Sequence, residues 1–253
     1  MGCNDSATEQ FSAYEEKAGE SKALQAIAKS IQLYPDSTAL IEQYIQLLDS
    51  AGDYTKAILQ NERLLKNDSL NHALWYRKGI YSEHLYDTAG AIKYYRFSIK
   101  SYATPQALLA LANLLAEQKN ADALLLCKNT STLFPVRELK ADLYFIKGVY
   151  YARSGNYKEA TSRFDSCIAN RYRYLEAYME KGFILYNKSQ IDKAFLLFET
   201  TTKLNPAYAD GYYWMAECKQ ATNERTEAIN YYQKALTFDS TIKEAKEAIQ
   251  QLQ

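Results

Sequence analysis

Residues 155–172 read GNYKEATSRFDSCIANRY, and the same plan recurs at 52–69 as GDYTKAILQNERLLKNDS and at 223–240 as NERTEAINYYQKALTFDS. Each copy opens on a turn, passes through charged residues to an Ala, and then places apolar residues at helical spacing. Taking that Ala as an anchor gives Ala23, Ala57, Ala91, Ala123, Ala160, Ala194 and Ala228, with steps of 34, 34, 32, 37, 34 and 34 residues. A period of this length marks an array of helical repeats.

A second helical stretch precedes each anchor. Twelve residues before four of the anchors stand Gly79, Gly148, Gly182 and Ala216, and four residues before those stand Trp75, Tyr144, Tyr178 and Tyr212. Two antiparallel helices approach closely where one offers Gly or Ala against the Ala of the other, with large aromatics filling the wedge beside the contact. Seven residues after the anchor, Ser30, Ser98, Thr130, Cys167, Thr201 and Ala235 are small again, so that the next repeat can stack. Pro35, Pro135 and Pro206 fall just past the second helix of their repeats, where Pro ends a helix without penalty.

At these positions the chain resembles the tetratricopeptide repeat family over nearly its full length. Repeats three, five, six and seven match best; Phe11, Ile45 and Leu111 stand where a small residue is expected, and Leu64 breaks the small series of repeat two. The resemblance implies an all-α, right-handed superhelical solenoid of about seven helix pairs spanning residues 6–240 as one domain. The tail STIKEAKEAIQQLQ (240–253) reads as an amphipathic helix opened by Ser240 or Thr241, with 241–253 capping the last repeat.

The totals agree with a helical scaffold. The 253 residues include 9 Gly and 4 Pro, too few for a turn-rich β architecture. Thirty basic residues balance 30 acidic ones, which removes the general attraction to phosphate backbones and with it nucleic acid as a partner. The apolar run Ala107 to Ala116 is far short of the ~20 residues that span a bilayer.

No catalytic, cofactor or metal site is legible. Cys3, Cys127, Cys167 and Cys218 show no metal or redox spacing, and the last three fall on apolar helix faces as small hydrophobes. His72 and His84 lack a third ligand and read as solvated side chains. The adjacent Glu15 and Glu16 point in different directions on a helix and make no acid/base pair. There is no phosphate-cradling loop and no nucleophile elbow, so the chain is read as a non-enzyme.

The resemblance implies that the first helices line a concave groove, with the residues one and five places after the aromatic position facing it. These are Glu42 and Gln46, Tyr76 and Ile80, Leu108 and Ala112, Phe145 and Val149, Met179 and Phe183, then Tyr213 and Glu217. Tyr76, Ile80, Leu108, Phe145, Val149, Met179, Phe183 and Tyr213 are therefore the expected partner-binding residues, an apolar stripe for a peptide or helix of another protein. The first two repeats present Glu9, Glu15, Glu16, Glu42 and Asp49 instead. Family members that clamp the carboxylate tails of heat-shock proteins carry cations on these faces. Here Thr8, Ser12, Glu42, Gln46, Tyr76 and Ile80 occupy them and would leave a carboxylate unpaired.

The start MGCNDSATEQ resembles the mature start of a bacterial lipoprotein, with Cys3 as the acylated residue and residues 1–5 as a tether. It also fits the M-G-x-x-x-S pattern for myristoylation. The expectation is a protein- or peptide-binding adaptor anchored by lipid in a bacterial cell envelope, facing the periplasm, for example at the outer membrane. The alternative is a cytoplasmic chaperone or assembly factor without an anchor, and homodimerisation is left open in either case.

Overall fold

A computed structural model describes residues 22–253; Cys3, Thr8, Glu9, Phe11, Ser12, Glu15 and Glu16 lie outside the described residues. The described residues form helices joined by short turns, with no strand among them. In order these are α1 (22–33), α2 (Thr38–Ser50), α3 (Tyr54–Asn67), α4 (His72–His84), α5 (Thr88–Ser101), α6 (Pro105–Glu117) and α7 (Asp122–Leu133). A 3₁₀ turn at Arg137–Leu139 leads into α8 (Lys140–Arg153) and α9 (Tyr157–Asn170). Then come α10 (Leu175–Asn187), α11 (Ile191–Leu204), α12 (Ala209–Ala221), α13 (Arg225–Phe238) and α14 (Lys243–Leu252).

The chain divides into two compact units, one ending at Leu111 and the other beginning at Ala112, so the division falls inside α6. In an array whose repeats contact only their neighbours, such a division requires no linker.

Among the described residues, the six turns between the two helices of a repeat share one positive-φ position. Gly52, Tyr86, Lys119, Gly155, Ser189 and Asn223 all adopt a positive φ, between 56° and 80°. The next residue then donates its N–H back five residues, as in Asp53 to Leu48 O (2.9 Å), Asn156 to Tyr151 O (2.8 Å) and Gln190 to Leu185 O (2.9 Å). This left-handed C-terminal cap satisfies carbonyls that the ending helix leaves free. The residue that follows opens the second helix. The side chains of Asp53, Asp87 and Asn156 each accept an N–H from three residues on, at 3.1, 2.9 and 3.3 Å.

In the first unit, Ile41, Ile45 and Leu48 of α2 pack with Ala57, Leu64 and Leu65 of α3 and with Leu74 and Tyr81 of α4. Of the anchors, Ala57, Ala91, Ala123, Ala160, Ala194 and Ala228 are fully buried. Ala23 is exposed, and the residues that precede it in its repeat lie outside the described ones.

The nearest neighbour of the small residue of the first helix is the side chain four places after the anchor. A Cβ built on Gly79 would lie 2.4 Å from Tyr95 Cε1, one on Gly148 2.5 Å from Phe164 Cε1, and one on Gly182 2.4 Å from Phe198 Cε1. At these three glycines the aromatic ring thus lies directly on the backbone of the opposing helix, closer than a Cβ would allow. Where the ring is a phenol, its hydroxyl finds a polar partner one turn along that helix. Tyr95 Oη bonds to Glu83, and Tyr232 Oη bonds to Gln220 at 2.8 Å as well as to Glu217 at 2.6 Å. Gly211 of α12 makes a second kind of close contact, since its Cβ would lie 2.4 Å from Thr201 Oγ1 on α11.

At the C-terminus, Ala245, Ala248, Ile249 and Leu252 of α14 pack on Ala228 and Tyr232 of α13. The helix opens later than its sequence suggests. Its N-cap is Ile242, which makes no side-chain cap bond, while Asp239 Oδ1 accepts both the N–H (2.8 Å) and the hydroxyl (2.6 Å) of Thr241. A carboxylate two residues earlier competes for the donor and tightens the turn before the helix can start.

Candidate protein-binding groove

In the second unit the first helices of three repeats, α8, α10 and α12, share one concavity of about 330 Å³. Its aromatic wall is Phe145, Phe183, Tyr208 and Trp214, Met179 is buried at its floor, and Glu176, Glu180 and Asp210 bring carboxylates to it. On α10 the four lining residues are spaced i, i+3, i+4 and i+7, which is one face of a helix. On α12 the pair Asp210 and Trp214 is spaced i, i+4.

The aromatic wall is held by rings behind it. Phe145 stacks on Tyr174, with centroids 4.9 Å apart and planes at 28°, and also meets Phe164 at 5.8 Å. Tyr174 is in turn covered by the Arg171 guanidinium at 5.3 Å, and Arg171 makes a forked pair with Asp142 at 2.9 and 3.0 Å. Phe183 meets Trp214 at 4.7 Å, and the Trp214 ring also touches Phe198 at 5.8 Å and Tyr186 at 5.6 Å. Rings braced in this way lose little further freedom when a ligand arrives.

The three carboxylates are not equivalent. Glu180 is bound by Arg153 through two bonds of 2.7 and 2.8 Å, and the same guanidinium also grips Glu117 at 2.7 and 3.1 Å. These hydrogen bonds, led by the one to Glu180, hold the Arg153 guanidinium well above its ordinary pKa. Among the described residues Glu176 and Asp210 form no ion pair. The Asp210 carboxyl is raised above its usual value, first by desolvation and then by the neighbouring charge of Asp239. Tyr208 is pushed up to about 12, mainly by burial and next by Asp210.

Of the residues expected at the groove, Phe145, Met179 and Phe183 come together here. Val149 is fully buried and Leu108 is 3% exposed, so they belong to the core, and Met179 contributes only a floor. Tyr213 is half-buried against Tyr232 at 5.6 Å and lies outside the concavity. In the first unit, Tyr76 is half-buried against Tyr95 at 5.5 Å, and Ile80 packs on the α2–α4 core. In the second unit the concavity is lined by aromatic and acidic side chains around Phe145, Met179 and Phe183. Glu176, Glu180, Tyr208, Asp210 and Trp214 escaped the sequence reading because it followed a single i, i+4 column of each helix. The neighbouring column, one turn of the same face, carries them.

Other chemistry is sparse. No group of three or more His, Cys, Asp or Glu is placed to hold a metal ion among the described residues. Cys127, Cys167 and Cys218 are buried free thiols, pushed up to about 11, 12 and 12 by burial. His84 stacks on Tyr54 at 4.3 Å and His72 meets Tyr102 at 5.0 Å.

Antiparallel helix pairs repeating at a fixed period, with a shared groove on their first helices, define an α-helical repeat scaffold. The particular repeat follows from comparison with known proteins. The tetratricopeptide repeat profile matches residues 45–102, and the chain has the all-α superhelical fold of tetratricopeptide repeat solenoids. A crystal structure of a tetratricopeptide repeat protein from Parabacteroides merdae superimposes with a TM-score of 0.77 at 16% identity, covering 96% of each chain. PilW, a widely conserved type IV pilus biogenesis factor, matches with a TM-score of 0.67 at 16% identity, over 85% of this chain and 99% of its own. Mouse tetratricopeptide repeat protein 14 is 26% identical over 112 residues, which are 42% of this chain and 15% of that protein. The structural likenesses establish the fold.

Proposed function

We propose that this protein is a non-enzymatic adaptor that holds a segment of a partner protein in the α8–α10–α12 groove. The observation that carries the reading is the concavity of about 330 Å³ with its braced aromatic wall, half-buried at Phe145 and Phe183. Rigid aromatics at the centre of a concave site are the anchors that dominate protein-binding energetics.

The test is affinity capture from source cells by wild type and by a Phe145→Ser/Phe183→Ser variant whose helicity is checked by circular dichroism. A partner captured by wild type and lost by the folded variant supports the groove. A partner captured equally by both puts the interface elsewhere.

Anchoring belongs to the same proposal and rests on the Gly2-Cys3 sequence. Acylation of Cys3 would place the adaptor at a bacterial envelope membrane, with the groove free for a periplasmic partner. Mass spectrometry of the N-terminal peptide from source cells decides this, because an unmodified Cys3 in the membrane fraction contradicts it.

A further inference from the structure

The concavity carries charge of one sign. Its charged lining residues are Glu176, Glu180 and Asp210, and no Lys or Arg lines it. Glu180 already holds a guanidinium, that of Arg153, in a two-bond fork. Glu176 and Asp210 stand in the first turns of α10 and α12, where the helix dipole favours a carboxylate. The Asp210 carboxyl nevertheless stays raised, first by desolvation and then by the charge of Asp239. Phe183, Tyr208 and Trp214 line the same concavity as these two carboxylates. Aromatic faces attract a cation over the ring, and they also cover the methylene stem that carries it. A purely apolar segment would leave Glu176 and Asp210 partly desolvated and unpaired, and an acidic one would add like charge.

We infer that the groove selects a peptide segment that inserts a Lys or Arg side chain, flanked by apolar residues, between Glu176 and Asp210 against the Phe183, Tyr208 and Trp214 rings. This inference rests on the groove reading above and names the chemistry of its partner. Charge gives the selectivity and speeds the encounter, while the rings supply the buried contact.

The experiment is selection of a random-peptide phage library on the immobilised full chain, with counter-selection on the Phe183→Ser chain. Synthetic copies of the enriched peptides are then titrated by fluorescence anisotropy. Three proteins are compared: wild type, Glu176→Gln/Asp210→Asn, and Phe183→Ser. The double amide variant keeps side-chain shape and removes only charge, so its helices remain intact.

The expected result is enrichment of peptides with Lys or Arg beside apolar residues. Binding should weaken about tenfold or more in the amide variant, and equally when the peptide Lys or Arg becomes norleucine. Raised ionic strength should weaken binding to wild type far more than binding to the amide variant. Enriched peptides that need Phe183 but carry no cation, or that bind the amide variant as tightly, overturn the cation assignment and leave the groove reading standing. A library that yields no Phe183-dependent peptide overturns both.

Discussion

The ring of Tyr95 lies so close to Gly79 that a Cβ on the glycine would sit 2.4 Å from Cε1 and 2.6 Å from Cδ1. The two residues are sixteen apart, and the same register pairs Gly148 with Phe164, Gly182 with Phe198 and Ala216 with Tyr232. It also resolves two departures from the repeat pattern. Where the first helix carries a large Ile45 or Leu111, the residue sixteen places on is the smaller Asn61 or Cys127. Ile45 and Asn61 are both fully buried, and Asn61 donates to Leu74 O at 2.9 Å while accepting from Arg77 at 2.8 Å. Along the sequence the same spacing thus sets a smaller residue opposite a larger one in each of these pairs.

Single changes that break this trade should cost stability. Gly148→Leu drives a side chain into the Phe164 ring, and Phe164→Cys leaves a cavity under Gly148. Each should cost about 2–4 kcal/mol by overpacking or cavity formation. The double variant restores the Leu-and-Cys combination of repeat four and should recover at least half of the summed loss. Urea unfolding of the four proteins measures it, and simple additivity would contradict the pairing.

This pairing shows how far the sequence could be read. The period, the buried anchors and the small residues of the first helices were all visible, because a repeated pattern exposes what is shared by all its copies. Which side chain the small residue meets was not visible, since the anchor Ala and the aromatic four residues later lie on the same helix face. Only the crossing of the helices chooses between them. The groove was partly legible for a similar reason: Phe145, Met179 and Phe183 lie in the family column. Val149 lies in that column too, yet its burial depends on the neighbouring helix. The carboxylates Glu176 and Asp210 sit one column away and look like ordinary first-turn residues.

The turns make a second prediction. Tyr86 and Ser189 hold φ of 59° and 56° in the position that Gly52 and Gly155 fill elsewhere. An L side chain in this conformation costs roughly 1 kcal/mol, and the Tyr86 side chain is exposed and repays none of it by packing. Tyr86→Gly and Ser189→Gly should therefore each raise stability by about 0.5–1 kcal/mol, while Gly155→Ala should lower it by about 1 kcal/mol. Thermal melts of the three variants check the signs, and a lower melting temperature for Tyr86→Gly would contradict the strain.

Arg153 makes a third. It joins the first helices of three repeats, taking Glu117 of α6 and Glu180 of α10 in forked bonds from the end of α8. The guanidinium is one-third exposed, so its net contribution is modest. Arg153→Ala should cost about 1–2 kcal/mol, much of it from leaving the largely buried Glu180 carboxylate unpaired. Arg153→Lys should recover less than half of that, because an ammonium has three donors and cannot make a two-bond fork to each of two carboxylates. Denaturant titration at low and high salt separates the cases: full rescue by Lys would reduce the fork to simple charge.

Asp210 makes the fourth, and its sign can be worked out in advance. Its folded-state pKa lies above the ordinary value of 3.8, raised first by desolvation and then by Asp239. The native state therefore holds this proton more tightly than the unfolded chain does. Stability from this group is fully present below the ordinary carboxylate range and is lost as pH rises through the raised folded value. Asp210→Asn removes the ionisation, so at neutral pH the variant should melt higher than wild type, and the gap should close as pH falls below about 4. Melting curves across that range decide it, together with Glu176→Gln as a control at a carboxylate distant from Asp239 in sequence. A peptide cation seated beside Asp210 would reverse the order by pairing the carboxylate in wild type alone. With such a peptide bound, wild type should gain more stability at neutral pH than Asp210→Asn does, and equal gains would mean that the carboxylate does not meet the cation.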